Sequence, residues 1–134
     1  GRHLVPGSVC MYAKCKGLDR IVAITDSIMA AGLPDGNYHL GVNDVVVIDG
    51  DAKLASNGTR AGSTLTQDVA LKNMLKWLPN TLEEILPTLS ENPAKEMGLF
   101  DRKGSIETGK DADLVLLDDE ANIVHVFARG KQVK

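Results

Sequence analysis

Asp26 closes the apolar run Arg20-Ile-Val-Ala-Ile-Thr25 and opens into the Gly/Pro-rich stretch Ser27-Ile-Met-Ala-Ala-Gly-Leu-Pro-Asp-Gly36. A carboxylate at the C-terminal tip of a buried strand is where α/β enzymes keep catalytic groups, because the strand holds the acid still while the following loop moves over a substrate. Such a carboxylate can accept a proton from an attacking water and return it to a leaving group. The bland alternative is a helix N-cap or loop aspartate, in which the same oxygens accept backbone hydrogen bonds. The other side chains with chemistry to offer are scattered. Cys10 and Cys15 have a spacing that fits no zinc or redox motif and lack a basic or metal partner, so they read as free thiols of a reducing cytoplasm. His39 and His125 fall on expected strands and read as structural. Asp111 and Asp113 read as turn formers.

The elements that position these groups follow from periodicity and punctuation. Ser8 is expected to cap a short helix to Lys16, stopped by Gly17. Arg20–Thr25 is expected as a strand buried on both faces, as parallel strands are. Three short runs, Tyr38–Val42, Asp44–Ile48 and Lys53–Ala55, are punctuated by the Asp49-Gly50 and Asn57-Gly58 turns and read as an antiparallel hairpin or meander. A helix opens at Thr64 or Thr66 and ends before Pro79, with Leu65, Val69, Met74 and Leu78 (or Leu71 and Leu75) at helical spacing. Thr81-Leu-Glu-Glu84 is a capping box, and Pro87 should shorten the helix it starts. Asn92-Pro93 reads as the start of one more short turn, closed by Gly98. After Gly104 the pattern becomes β only, with strands at Ala112–Leu117 and Asn122–Arg129 joined through the turn at 118–122.

Length and composition bound the rest. The 134 residues, 43% hydrophobic and 25% charged, suffice for one ordinary packed domain. A net charge of −3 argues against nucleic acid or an anionic membrane surface as partner. No apolar run is long enough to cross a bilayer, and nothing resembles a signal peptide. The opening Gly-Arg-His-Leu-Val-Pro-Gly-Ser resembles a thrombin-site remnant with one residue missing and also reads as native sequence. A single buried strand flanked by helices is a piece of a βα repeat, so the chain reads as the end of a longer protein.

Four segments, in order, carry a resemblance. Gly1-Arg-His3-Leu-Val-Pro6 is similar to the remainder of a D-G-x-H-x-x-P segment. Ile24-Thr-Asp26-Ser with Ala30-Ala-Gly-Leu-Pro-Asp-Gly36 is similar to a last barrel strand and its catalytic loop. Asn57-Gly-Thr-Arg-Ala-Gly-Ser-Thr-Leu65 is similar to a substrate-contacting turn, and residues 104–118 to a re-entry into a small β domain. Together they resemble the C-terminal third of the N-acetylglucosamine-6-phosphate deacetylases, a branch of the amidohydrolase superfamily. The resemblance implies an α/β fold: the C-terminal portion of a metal-dependent hydrolase (β/α)8 TIM barrel over residues 1–103, then strands of a small β-sandwich domain over 104–134. It implies hydrolysis of N-acetylglucosamine-6-phosphate to glucosamine-6-phosphate and acetate, with Asp26 as the general base and acid acting on metal-bound water. It assigns His3, Ala61, Gly62 and Ser63 to substrate, the last three through backbone groups that small residues leave accessible.

The resemblance also implies a divalent cofactor (Zn, Fe, Mn or Co) whose main ligands, a glutamate and two histidines, have no counterpart in these residues. Asp26 would touch the ion in a two-metal site. A typical barrel needs about 250 residues, so the chain alone is expected to be inactive. A homodimer in the complete protein, a cytoplasmic location, and no nucleic-acid or membrane partner complete the expectation. The competing readings are another amidohydrolase, a cyclic amidase or deaminase, and a non-catalytic fragment that self-associates through open strand edges.

Overall fold

The computed structural model describes residues 1–134, a mixed α/β chain that divides into two compact units. The first comprises residues 1, 3–23 and 71–134; the second comprises residues 2 and 24–70.

The second unit is built on an antiparallel meander of β1 (Gly36–Leu40), β2 (Asn43–Ile48) and β3 (Asp51–Leu54), in the order β1-β2-β3. It confirms the hairpin-or-meander reading with slightly shifted ends. Asp49 and Gly50 both take positive φ (51° and 70°), the pairing that lets a two-residue turn match strand twist. Asp35 accepts both turn amides, Gly50 N–H at 3.0 Å and Asp49 N–H. Period-two alternation along β2 turns Val45 and Val47 inward, where they pack with Ala52, Ala61, Ile28 and Ala30. The last two belong to the segment just after Asp26, so the core anchors that segment two and four residues beyond the carboxylate.

Beside this core Asp51, whose side chain is 11% exposed, gathers three cations. Arg60 Nε lies 3.1 Å away, Lys53 Nζ 3.2 Å and Arg2 3.9 Å. The Arg60 hydrogen bond above all, then Lys53, holds the Asp51 carboxyl below its ordinary range, against the opposing effect of partial burial.

In the first unit, α1 (Pro6–Lys16) begins with Pro6 at its first turn and Val5 at the cap. Ser8, expected as the cap, lies inside the helix instead, because proline at the first position needs no amide partner and pre-sets φ. α2 (Gln67–Trp77) turns Leu71 and Met74 into a core with Leu78, the residue after it, and with Ile85 and Ala121. Val69, expected on that face, is 43% exposed; Met74 and Leu78 are buried as expected, together with Leu71, and Leu75 is partly buried against them. The capping box is present in both halves: Thr81 Oγ1 accepts Glu84 N–H at 3.4 Å, and Glu84 Oε2 accepts Thr81 N–H at 3.0 Å. α3 (Leu82–Ile85) is then cut to one turn and passes into a 3₁₀ turn at Leu86–Thr88, as Pro87 requires. α4 (Glu91–Glu96) has Ser90 at its N-cap position with no side-chain cap bond, and Asn92, expected as the cap ahead of Pro93, lies inside the helix. The Asn92 amide is used elsewhere, donating to the carbonyls of Leu18 (2.8 Å) and Ile21 (2.7 Å).

The tail forms a second antiparallel sheet of β4 (Leu114–Leu117), β5 (Ile123–Ala128) and a short β6 (Lys131–Gln132). Asp118 organises the β4–β5 turn by accepting the amides of Glu120 (3.1 Å) and Asn122 (2.7 Å). Asp111 and Asp113, expected as turn formers, instead pair with Arg102 and Lys103, and Asp113 also accepts Arg129 N–H at 2.8 Å.

The strand expected over residues 20–25 is absent. Residues 20–25 are not a regular strand: Leu18–Arg20 is a 3₁₀ turn, and the chain then runs without ladder pairing until Ser27, which bridges Ser63 in parallel. A strand exists only where a neighbour accepts its hydrogen bonds. Within the first unit the run finds one, Ala23 N–H to Thr88 C=O at 2.9 Å. Ile24 is left 71% exposed although its composition suits a buried strand.

Two outcomes follow for stability. Ile85→Ala, at a side chain with no exposed surface, should lower the unfolding free energy by about 2–5 kcal/mol, whereas Val42→Ala at a fully exposed position should change it by less than about 0.5 kcal/mol; urea melts measure both. For Asp51 the depressed carboxyl adds stability that is complete above the ordinary carboxylate value of about 3.9 and is lost as pH falls through the folded value. The stability gap between wild type and Asp51→Asn should therefore stay constant above about pH 5 and close on acidification, as urea melts across that range would record.

Candidate active site

Asp26 sits in the left-handed region at φ 51°, uncommon for a residue with a Cβ though Asp tolerates it better than most. Its neighbours are pinned on every side. Ser63 N–H donates to Asp26 C=O at 2.7 Å, and Ile28 N–H donates to Ser63 C=O at 2.9 Å. Ser63 Oγ donates to Thr25 C=O and accepts Leu65 N–H at 3.1 Å. Ser27 Oγ donates to Leu65 C=O, and Ser27 N–H reaches Thr25 Oγ1 at 3.3 Å. The segment 25–28 is thus tied to 63–65 residue by residue. The carboxylate itself is exposed and makes no hydrogen bond or ion pair. It caps no helix.

Gly62 explains how the two segments approach so closely. It has φ 62°, and a Cβ placed there would lie 2.7 Å from Ile28 Cγ2 and 2.9 Å from Asp26 O. Only glycine fits that gap without displacing the backbone beside Asp26. Ala61 is buried, its N–H donating to Ala52 C=O at 3.1 Å. Ala61, Gly62 and Ser63 are therefore brought to Asp26, and in this structure they pack against protein. His3 stands in the first unit, exposed ahead of α1, with its ring free of hydrogen bonds and ion pairs.

The loop after Asp26 is less open than its Gly/Pro content suggests. Ile28 and Ala30 are buried, Ala31 N–H and Leu33 N–H close turns onto Ile28 C=O (3.0 Å) and Ala30 C=O (3.1 Å), and Tyr38 OH donates to Pro34 C=O. A hollow in the second unit is lined by Arg2, Ile48, Asp49, Asp51, Lys53 and Ala55, and one in the first by residues that include Cys10, Leu18, Leu78 and Asn92. Asp26 and His3 line neither. No group of three or more His, Cys, Asp or Glu side chains gathers to hold a metal. The donor set of these residues does not by itself fit an ion.

Sequence reasoning missed the Asp51 cluster and the Ser27–Leu65 tie. Asp51 lies on the face of β3 opposite to Ala52, and only the fold brings Arg60 to it. No helix is long and apolar enough to cross a membrane.

Residues 23–133 match the Amidohydrolase family. The chain is 38% identical over 130 residues to the N-acetylglucosamine-6-phosphate deacetylase of Bacillus subtilis (strain 168), covering 97% of this chain and 33% of that protein. It is 36% identical over 131 residues to the N-acetylgalactosamine-6-phosphate deacetylase of Escherichia coli O157:H7, covering 98% and 34%. The crystal structure of the N-acetylglucosamine-6-phosphate deacetylase from Thermotoga maritima superposes with a TM-score of 0.90 at 42% identity, over 98% of this chain and 36% of that one. The chain spans about a third of the length of these relatives. A family match over most of its residues, and a fold shared with that solved structure across nearly its whole length, make this chain a member of the amidohydrolase family.

Proposed function

We propose that the complete protein is a metal-dependent deacetylase that hydrolyses the N-acetyl group of N-acetylglucosamine-6-phosphate to glucosamine-6-phosphate and acetate. The observation that carries the reading is the contrast at Asp26: a backbone fixed by hydrogen bonds on both sides and a carboxylate with no partner. A structural aspartate spends its oxygens on the fold, as Asp35, Asp51, Asp113 and Asp118 do here. Asp26 keeps both free for a proton. In the reaction the oxygen of water adds to the acetyl carbonyl carbon as Asp26 takes a proton from that water. The C–N bond then breaks, acetate departs, and the same carboxyl delivers the proton to the amine.

His3 and the backbone of Ala61 and Gly62 are assigned to the phosphorylated sugar, with Ser63 beside them. The residues of this chain do not gather a metal site, so the ion's main ligands are assigned to the remainder of the protein. With them go the opposite wall of the active site and the rest of a (β/α)8 barrel, of which residues 1–103 would be the end and 104–134 part of a small β-sandwich. On this reading the chain by itself is inactive, and the complete protein is a cytoplasmic homodimer. The relatives carry two sugar names, glucosamine and galactosamine, at 38% and 36% identity. The substrate class is therefore an N-acetylhexosamine-6-phosphate, with the gluco epimer first and the galacto epimer as the second reading.

Asp26→Asn in the complete protein should lower kcat for acetate release by on the order of 10²–10⁴-fold, while calorimetry finds substrate affinity retained. Full activity in that variant would remove the mechanism. Assay of both epimers, with dihydroorotate as the cyclic-amide control, separates the substrates.

A further inference from the structure

We infer that Ser63 is a positioning residue for Asp26 and not a contact to substrate; this rests on the reading of Asp26 as the proton carrier. The argument is one of hydrogen-bonding capacity. A serine in a chain has two protons to donate, one on the backbone nitrogen and one on the hydroxyl. Ser63 spends the first on Asp26 C=O at 2.7 Å and the second on Thr25 C=O. Its carbonyl accepts Ile28 N–H at 2.9 Å, and its hydroxyl oxygen accepts Leu65 N–H at 3.1 Å. A phosphate or an acetyl carbonyl is an acceptor and needs a donor. Ser63 has none left.

What the residue does with those bonds is hold the peptide units on both sides of Asp26. Thr25 C=O and Asp26 C=O flank the Asp26 nitrogen and carbon, so fixing both sets φ and ψ at a residue whose φ of 51° is unfavourable for a side chain. The direction of the carboxylate follows from that backbone. Ser27 repeats the arrangement from the other strand, its hydroxyl donating to Leu65 C=O. Gly62 supplies the closeness, since a Cβ there would lie 2.9 Å from the Asp26 carbonyl oxygen that Ser63 must reach. Removing the Ser63 hydroxyl leaves the Ser63 N–H and C=O ties in place and frees the Thr25 carbonyl. Asp26 then keeps its place in the chain but loses its set direction. Misdirection of a catalytic group by about 1 Å can cost on the order of 10²-fold.

The test uses the complete protein with its metal. Ser63→Ala should lower kcat by about 10–100-fold with KM little changed, and Ser63→Thr, which keeps the hydroxyl, should restore most of kcat. Substrate affinity measured by calorimetry should be the same for Asp26→Asn and for the Asp26→Asn/Ser63→Ala double variant, a comparison that needs no turnover. Weaker binding in the double variant, or a rise in KM with kcat intact, would make Ser63 a substrate contact and overturn the inference. A lowered melting temperature with unchanged kcat would reduce it to a structural residue, and failure of Ser63→Thr to restore kcat would overturn it as well. An active Asp26→Asn would instead bring down the underlying reading, a result separable from all of these.

Discussion

The structure of the second unit turns on a parallel contact of a few residues, in which Ser63 grips the peptide groups on both sides of Asp26. Parallel pairing of so short a stretch is weak by itself. Here it is reinforced by two serine hydroxyls, one from each side, that take the places of missing ladder partners. The core just beyond, with Ile28 and Ala30 against Val45, Val47 and Ala61, keeps the two stretches from sliding past one another. The Asp26 carboxylate takes no part in these bonds.

The meander serves this contact at a distance. β3 carries Ala52, whose carbonyl takes Ala61 N–H, and Asp51, whose carboxylate takes Arg60. Both bonds fix the residues immediately before Gly62, so the strand that looks least involved sets where the glycine lies. Asp35, capping the Asp49-Gly50 turn, ties the far end of the loop after Asp26 to the same sheet. Both chain segments that meet at Asp26 are therefore referenced to one small sheet.

Much of this was legible in the chain. Asp-Gly and Asn-Gly turns, β-branched alternation in β2, the Thr81–Glu84 box and the effect of Pro87 all rest on local chemistry and appear as read. The errors were non-local. Ser8 and Asn92 have the right types for caps, but Pro6 and Ser90 come earlier in the chain and Asn92 is drawn to Leu18 and Ile21. The apolar run 20–25 has strand composition without the partners that make a strand. Asp26 is singled out by its motif and position, whereas the hydrogen bonds of Ser63 are not: A-G-S there reads as a substrate contact or as the loop and cap region of the following helix. Only coordinates show which groups its protons face.

The double hydrogen bond from Asn92 has a consequence for how the chain is made. It reaches back 74 residues to Leu18 and 71 to Ile21, and the Thr88 carbonyl reaches back to Ala23. At a ribosomal rate of about 5–20 residues per second, the lead-in to Asp26 waits roughly 4–15 s after synthesis before its partners exist. During that interval the apolar stretch Ile21-Val22-Ala23 is held by neither bond.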